Sequence, residues 1–185
     1  MHNLYEIPEI TEINRLPMSG APVPESERFS LDGLWDFKLY PNPQAIPEFA
    51  AVEFADQITV PSNWTLGGFG DLPHYTNVWM PFDNTPPMPP EKNPAALYRK
   101  SFTLPENFSG KRIVLHIGGV ESYFELYLND RFLGMGKDTR LPSEFDITGF
   151  IQAGKNTLYA KVEDLGFGEF RTPSELIWEK EMELY

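Results

Sequence analysis

Cysteine is absent from the 185 residues, which excludes disulfides and thiolate-held metals and leaves redox chemistry silent about the compartment. Basic residues are scarce. The 15 Lys and Arg face 27 Asp and Glu, a formal charge of -12, and a surface of that sign repels nucleic acid and anionic membranes. No apolar run approaches the length of a membrane span. The start, MHNLYEIPEITEINRLPMSG, lacks the basic opening and continuous apolar core of a secretory leader, so a cytoplasmic origin is the default expectation. Histidine is rare as well. His2, His74 and His116 show no ligand spacing, so no metal site is expected, and His116, alternating with Ile113, Leu115 and Ile117, is expected to face solvent.

Long helical periods are also missing: nothing before residue 170 reads as an amphipathic helix of useful length. What the chain has instead is short alternating runs. Trp35, Phe37 and Leu39 alternate with Asp36, Lys38 and Tyr40, the pattern of a half-buried strand ended by Pro41 and Pro43. A short helical or irregular connection runs through Glu53, and Gln57 to Val60 is a second brief strand. Tyr98, Lys100, Phe102 and Leu104 share a strand face. Ile113–Ile117, Phe124–Leu128 and a return strand at Phe132–Leu133 follow, the last two across an Asn129-Asp130 turn, which describes a three-stranded antiparallel meander. The polar run 137–146 interrupts the pattern, 147–151 closes it with a strand end and a turn, and Leu158, Ala160 and Val162 mark the last clear strand. Short strands with Gly, Pro and Asn turns predict an all-β antiparallel sandwich, most simply a jelly roll.

One domain of ordinary size is expected. Residues 1–32 read as an extended arm that needs a partner surface, in which Asn14-Arg15-Leu16-Pro17 is a turn before a proline. Residues 33–170 form the sandwich, and 171–185 lead towards a further domain, as either helix or strand. The sandwich carries one long loop, 61–95, whose Pro61–Pro90 stretch is too rich in proline and glycine for regular structure. It nevertheless holds Trp64, Phe69, His74, Tyr75, Trp79 and Phe82. A solvated linker has little use for such rings, so the loop is expected to be ordered and anchored by them, with Thr76, Asn77 and Asp83 at a rim.

Apolar faces of pyranose rings pack on aromatic side chains while hydroxyls need a few fixed polar groups, and this loop offers both. The plainer role for Trp64, Tyr75 and Trp79 is to plug the end of the sandwich. Carboxylates could in principle form a glycosidase pair, but Glu121, Glu125, Asp138, Glu144, Asp146 and Glu163 each have a simpler reading. Glu125 alternates outward on a strand, and Glu144 and Asp146 lie in a polar connection. No self-contained catalytic residue is expected. Gly67-Gly68-Phe69-Gly70 lacks the lysine and helix of a phosphate loop, and no nucleophilic serine elbow is present.

Ser62-Asn63-Trp64, Tyr75-Thr76-Asn77-Val78 with Pro81, Asn93-Pro94 before the Tyr98 strand, and Arg140-Leu141-Pro142-Ser143-Glu144-Phe145-Asp146 follow in order. Together with Asn14-Arg15 and Leu31-Asp32-Gly33-Leu34-Trp35, the series resembles the N-terminal domain of family-2 glycoside hydrolases of the β-galactosidase type, from about residue 14 to 163. The resemblance implies a galactose-binding-domain-like jelly roll that precedes an immunoglobulin-like domain and a (β/α) barrel. In the family that barrel carries the two catalytic glutamates of a retaining mechanism, so this chain alone is expected to be inactive. By the same resemblance Tyr75, Thr76 and Asn77 are the substrate-binding residues, with Asn77 hydrogen-bonding the galactosyl group. The Arg140–Asp146 run looks structural, fixing a loop by polar contacts. In the family an Asp two residues before a Trp binds sodium and the sugar; Leu176 stands at that place before Trp178, which leaves the ion site and one sugar contact open. Magnesium and sodium are implied for the parent enzyme and no cofactor for this chain. The implied partners are a β-galactoside and the downstream domains, with a homo-oligomer left open. The second expectation, from the aromatic loop, is a free-standing carbohydrate-binding module.

Overall fold

The computed structural model describes residues 4–17, 27–71, 93–120, 123–137 and 142–163, together with the backbone of 182–184. Among the described residues eleven strands follow one another: β1 (Glu12–Ile13), β2 (Phe29–Ser30), β3 (Gly33–Tyr40), β4 (Asp56–Val60), β5 (Ala95–Thr103), β6 (Val114–Ile117), β7 (Tyr123–Leu128), β8 (Arg131–Gly136), β9 (Ser143–Asp146), β10 (Lys155–Glu163) and β11 (Met182–Leu184). They build two antiparallel sheets, ordered β1-β8-β7-β10-β5-β3-β4 and β2-β11-β6-β9. Among the described residues the only helical elements are single 3-10 turns, such as Pro43–Ala45 and Phe49–Ala51 in the connection after β3. The expected all-β antiparallel sandwich is what the chain forms.

The alternation read from the sequence sets the core. Trp35 and Phe37 of β3, Phe102 of β5, Phe124, Leu126 and Leu128 of β7 and Leu158 and Val162 of β10 come from the large sheet. Leu115 and Ile117 of β6 and Phe145 of β9 meet them from the small one. Phe124 and Phe145 touch edge to face across the two sheets, 6.1 Å between centroids, a favoured aromatic geometry. At Gly134 of β8 a Cβ would collide with the Ile13 carbonyl and the Phe145 ring, so glycine there lets β1 and the opposite sheet approach together.

Three sequence expectations change. The meander is a hairpin: β7 and β8 pair across Asn129 and Asp130, both at positive φ (53° and 62°), as a two-residue turn matched to strand twist requires. β6 belongs to the other sheet, where it pairs with β11 on one side and β9 on the other. The polar run is no interruption either. Its end, Ser143–Asp146, is strand β9, which buries Ser143 and Phe145 on one face. The sequence hid this because only four residues alternate.

The N-terminal residues find their partner surface on the domain itself. β1 pairs with β8, Leu16 N–H donates to the Glu144 carbonyl at 2.8 Å, and Arg15 bridges to Phe145. The segment thereby joins an edge of each sheet. Asn14 is indeed a turn residue, at φ 58°, yet Arg15 is not a bland neighbour: it is buried, with Nε donating to Glu12 at 2.7 Å. The C-terminal alternative resolves as strand at 182–184.

Candidate functional site

Register gives the sandwich two unequal ends. Gly33 of β3 pairs with Val60 of β4, whereas Tyr40, at the far end of β3, pairs with Ala95 at the start of β5. At ~3.3 Å per residue those ends lie roughly 23 Å apart. The connection from β4 to β5 must therefore run back along the sheet. The same Tyr40 end receives the end of β10 at Glu163, the start of β7 at Tyr123, the end of β8 at Gly136 and the start of β9 at Ser143. The connection after β3 leaves from that end and the 61–95 loop returns to it, whereas the Asn129-Asp130 and 152–154 turns lie at the other.

The loop's first residues are fastened by its own aromatics. Val60-Pro61 is cis. Asn63 caps a 3-10 turn, Trp64–Leu66, its Oδ1 accepting from the Thr65 N–H and Oγ1, both at 2.9 Å, as short polar side chains do at such starts. Trp64 is buried, and its Nε1–H donates to Asp71 Oδ2 at 2.8 Å. Phe69 rests on Phe37, 4.5 Å between centroids. By Phe69 the chain has come halfway along β3 on its core face. Trp64 thus takes the plug role. Asp71 is the residue the sequence reading passed over, since nothing in the pattern marks the acceptor of a buried indole.

The loop returns at Asn93, which is 2% exposed and has no hydrogen-bond partner for either amide atom among the described residues. Across the outer face of the large sheet, Tyr40, Ala95, Glu163 and Tyr123 stand directly opposite one another in a row. Glu163 is fully buried; its Oε1 lies 2.7 Å from Lys161 Nζ as an ion pair, while Oε2 has no partner among the described residues. Burial pushes its carboxyl up to about 7, against the pull of Lys161, with Glu125 and Glu6 adding to the rise.

Glu125 corrects an expectation: it does not face outward to water but is buried, accepting from the Tyr123 hydroxyl at 2.5 Å and the Tyr127 hydroxyl at 2.7 Å. Burial first, then the Glu125 carboxylate, hold both phenols strongly in the protonated form. The large sheet's outer face is covered by Tyr5, Phe49 and Phe54, so period-2 alternation no longer separates core from solvent there. His116 is likewise not turned out to water. Its side chain is 12% exposed and its Nδ1 sits 2.9 Å from Glu144 Oε1. Glu144 and Asp146 are strand residues, and Asp146 is held by Arg112 Nε at 2.8 Å and by Thr148 Oγ1 at 2.6 Å.

Tyr75, Thr76 and Asn77, the sugar contacts implied by the motif series, lie outside the described residues, as do the rest of 72–92 and Glu121, Asp138, Arg140 and Leu176. What the structure does bring together is the frame that launches and receives their loop, Trp64–Asp71 and Asn93. Among the described residues no three His, Cys, Asp or Glu side chains gather as a donor set for a metal ion.

Comparison with known proteins agrees with this geometry. Residues 29–182 match the model for "Glycosyl hydrolases family 2, sugar binding domain". A β-galactosidase of Psychromonas ingrahamii is 39% identical over 153 residues, covering 80% of this chain and 15% of that protein. A β-glycosidase from Bacteroides vulgatus superposes with a TM-score of 0.62 at 22% identity, over 86% of this chain and 20% of the other. A Bifidobacterium dentium β-glucuronidase does so at 0.58 and 24%, over 78% and 21%. These structures share the fold, and the chain spans about a fifth or less of each relative.

Proposed function

The chain belongs to the sugar-binding domain of glycosyl hydrolases family 2, and from that premise we propose that it serves a β-galactosidase-like retaining glycosidase as its non-catalytic N-terminal domain. Its task is to lend substrate contacts, Asn77 foremost with Tyr75 and Thr76, to an active site on a barrel domain outside this chain. The observation that carries the reading is the pairing of 39% identity over 80% of this chain with a β-galactosidase of which it covers only 15%. The described frame supports it. Trp64 and Phe69 fasten the loop's first third into the core, so that hydrogen-bonding groups further along start from a rigid base, which positioning a substrate demands. A β-galactoside and the downstream domains are the partners this role requires, and magnesium and sodium are the ions implied for the whole enzyme.

Two assays test it. The purified 185-residue chain should not hydrolyse a chromogenic β-galactoside, and turnover by the chain alone would overturn the reading. In a longer glycosidase carrying this domain, Asn77→Ala should lower kcat/KM by about tenfold to a hundredfold with the melting temperature unchanged, because a contact made to the reacting sugar counts in the transition state. A large fall in melting temperature with normal kinetics would make Asn77 structural instead. Shift changes of the isolated chain with millimolar galactose or lactose in an NMR titration would favour the free-standing carbohydrate-binding module.

A further inference from the structure

We propose that the N-terminal segment Leu4–Ile13 is an acid-favoured latch, which closes over a buried carboxylate and lysine cluster on the outer face of the large sheet and is released as that cluster loses its proton. The latch is well seated. Tyr5 is 6% exposed, packs edge-on against Tyr123 at 5.8 Å, and lies 6.0 Å from the Lys161 ammonium, with Gln44 donating to its hydroxyl. Further along, Lys137 Nζ donates to the Ile7 carbonyl at 2.6 Å, Lys137 N–H donates to the Thr11 carbonyl at 3.0 Å, and β1 pairs with β8.

Beneath Tyr5 one cation serves two carboxylates. Lys161 Nζ lies 2.7 Å from Glu163 and 3.7 Å from Glu125. Tyr123 and Tyr127 both donate to Glu125, whereas Glu163 is fully buried with only Lys161 beside its carboxyl as a cation among the described residues, and burial raises its affinity for a proton. Among the described residues the groups facing Glu163 are Lys161 on its own strand, Glu125 and Tyr123 on β7 and Glu6 on the latch, with Tyr40 of β3 and Asn93 before β5 at the same end. At the latch's other end Lys137 feels the charge of Glu9, although burial lowers its own affinity for a proton. Ionising Glu163 adds a negative charge in a solvent-excluded place beside the acidic Glu6, with Lys161 the one cation in contact with it among the described residues, and that is costly.

Linkage fixes the direction. With the latch closed Glu163 keeps its proton to about pH 7; with the latch open, water reaches the carboxyl and its affinity returns towards the ordinary 4.5. The closed state then binds more protons between those values. The stabilisation is complete below about 4.5, declines through the window, and is gone above about 7.

Hydrogen exchange on the 185-residue chain, corrected for intrinsic rates, reads this out. The Ile7 and Ile10 amides, bonded to the Leu4 and Ile7 carbonyls, should lose on the order of fiftyfold to a hundredfold in protection from pH 5 to pH 8, while amides between β5 and β10 keep theirs. Glu163→Gln, which mimics the protonated acid, should hold the pH 5 level at pH 8. Equal latch protection at both pH values, the same loss in E163Q, or a loss shared by β5 and β10 would overturn the proposal. Should E163Q not fold, the carbon-13 titration of the Glu163 carboxyl decides. Its midpoint, near 7 in the parent, should fall towards 4.5 in Tyr5→Ala, and an unmoved midpoint would overturn the latch.

Discussion

Two buried asparagines at opposite ends of the sandwich carry the same side chain into opposite circumstances. Asn156, at the turn end, is fully buried and saturated: Oδ1 accepts from Asn129 Nδ2 at 2.8 Å and from the Gln152 N–H at 3.0 Å, and Nδ2 donates to the Gln152 and Gly154 carbonyls at 3.0 and 3.1 Å. Asn129 extends the network, giving to the Phe150 carbonyl and accepting from the Thr157 N–H, both at 2.9 Å. Asn93, at the loop end, is nearly as buried and has no partner among the described residues. Glu163 Oε2 and the Tyr40 hydroxyl share its condition. A folded domain satisfies its buried polar groups almost everywhere. Among the described residues one end of this molecule therefore obeys the rule for stability, and the other leaves hydrogen-bonding capacity unspent where the 61–95 loop returns to the sheet.

Mutations rank the two ends against the core that both share. The largest loss should come from Trp35→Ala, since the ring is 1% exposed and its Nε1–H donates to the Leu31 carbonyl at 2.9 Å; roughly 3–5 kcal/mol is expected in denaturant unfolding. An unchanged midpoint would remove Trp35 from the core. Next, Asn156→Ala removes four hydrogen bonds made by a fully buried side chain to the exposed turn and to Asn129, and should cost roughly 2–3 kcal/mol. A loss under about 0.5 kcal/mol would mean that water repairs the network, and the contrast between the ends would weaken. At the start of the loop Trp64→Phe keeps an aromatic ring and deletes the donor to Asp71, for roughly 1.5–2 kcal/mol, as for a bond to a charged acceptor. Full retention of stability in that variant would show that the indole only fills space.

The sequence made the turn end and the core legible because both obey short-range rules: alternation placed Trp35, Phe37, Leu115 and Leu158, and Asn129-Asp130 announced its hairpin. Its failures share one cause. Glu125 and His116 sit at positions that alternation assigns to solvent, yet the N-terminal segment and the connection after β3 cover the first, and Glu144 of the neighbouring strand holds the second. Nothing local encodes a cover that arrives from about 120 residues away. β6 escapes its expected sheet for the same reason, since the strands it pairs with, β9 and β11, come from further along the chain and not from its own pattern. At the candidate site the motif series named Tyr75, Thr76 and Asn77, while Asp71 and the isolation of Asn93 depend on three-dimensional neighbours and had no signature to read.

Asn93→Leu is the smallest expected effect and the most informative about the comparison. Removing a buried amide usually costs stability because its partners lose their bonds, but here no described group would be stranded. The gain from no longer desolvating an unpaired amide, which is on the order of 1–3 kcal/mol, is opposed by the strain of fitting a branched side chain into a packed site, on the order of 1–3 kcal/mol as well. The net change should fall within about 1 kcal/mol of the parent, on the stabilising side, in the same unfolding experiment that shows the loss for Asn156→Ala. If Asn93→Leu costs as much as Asn156→Ala, the amide is bonded in the folded protein and the two ends are built alike. If it is neutral in the isolated chain yet lowers kcat/KM in a glycosidase carrying the domain, the unspent hydrogen bonds at the loop end serve the assembled site rather than the fold.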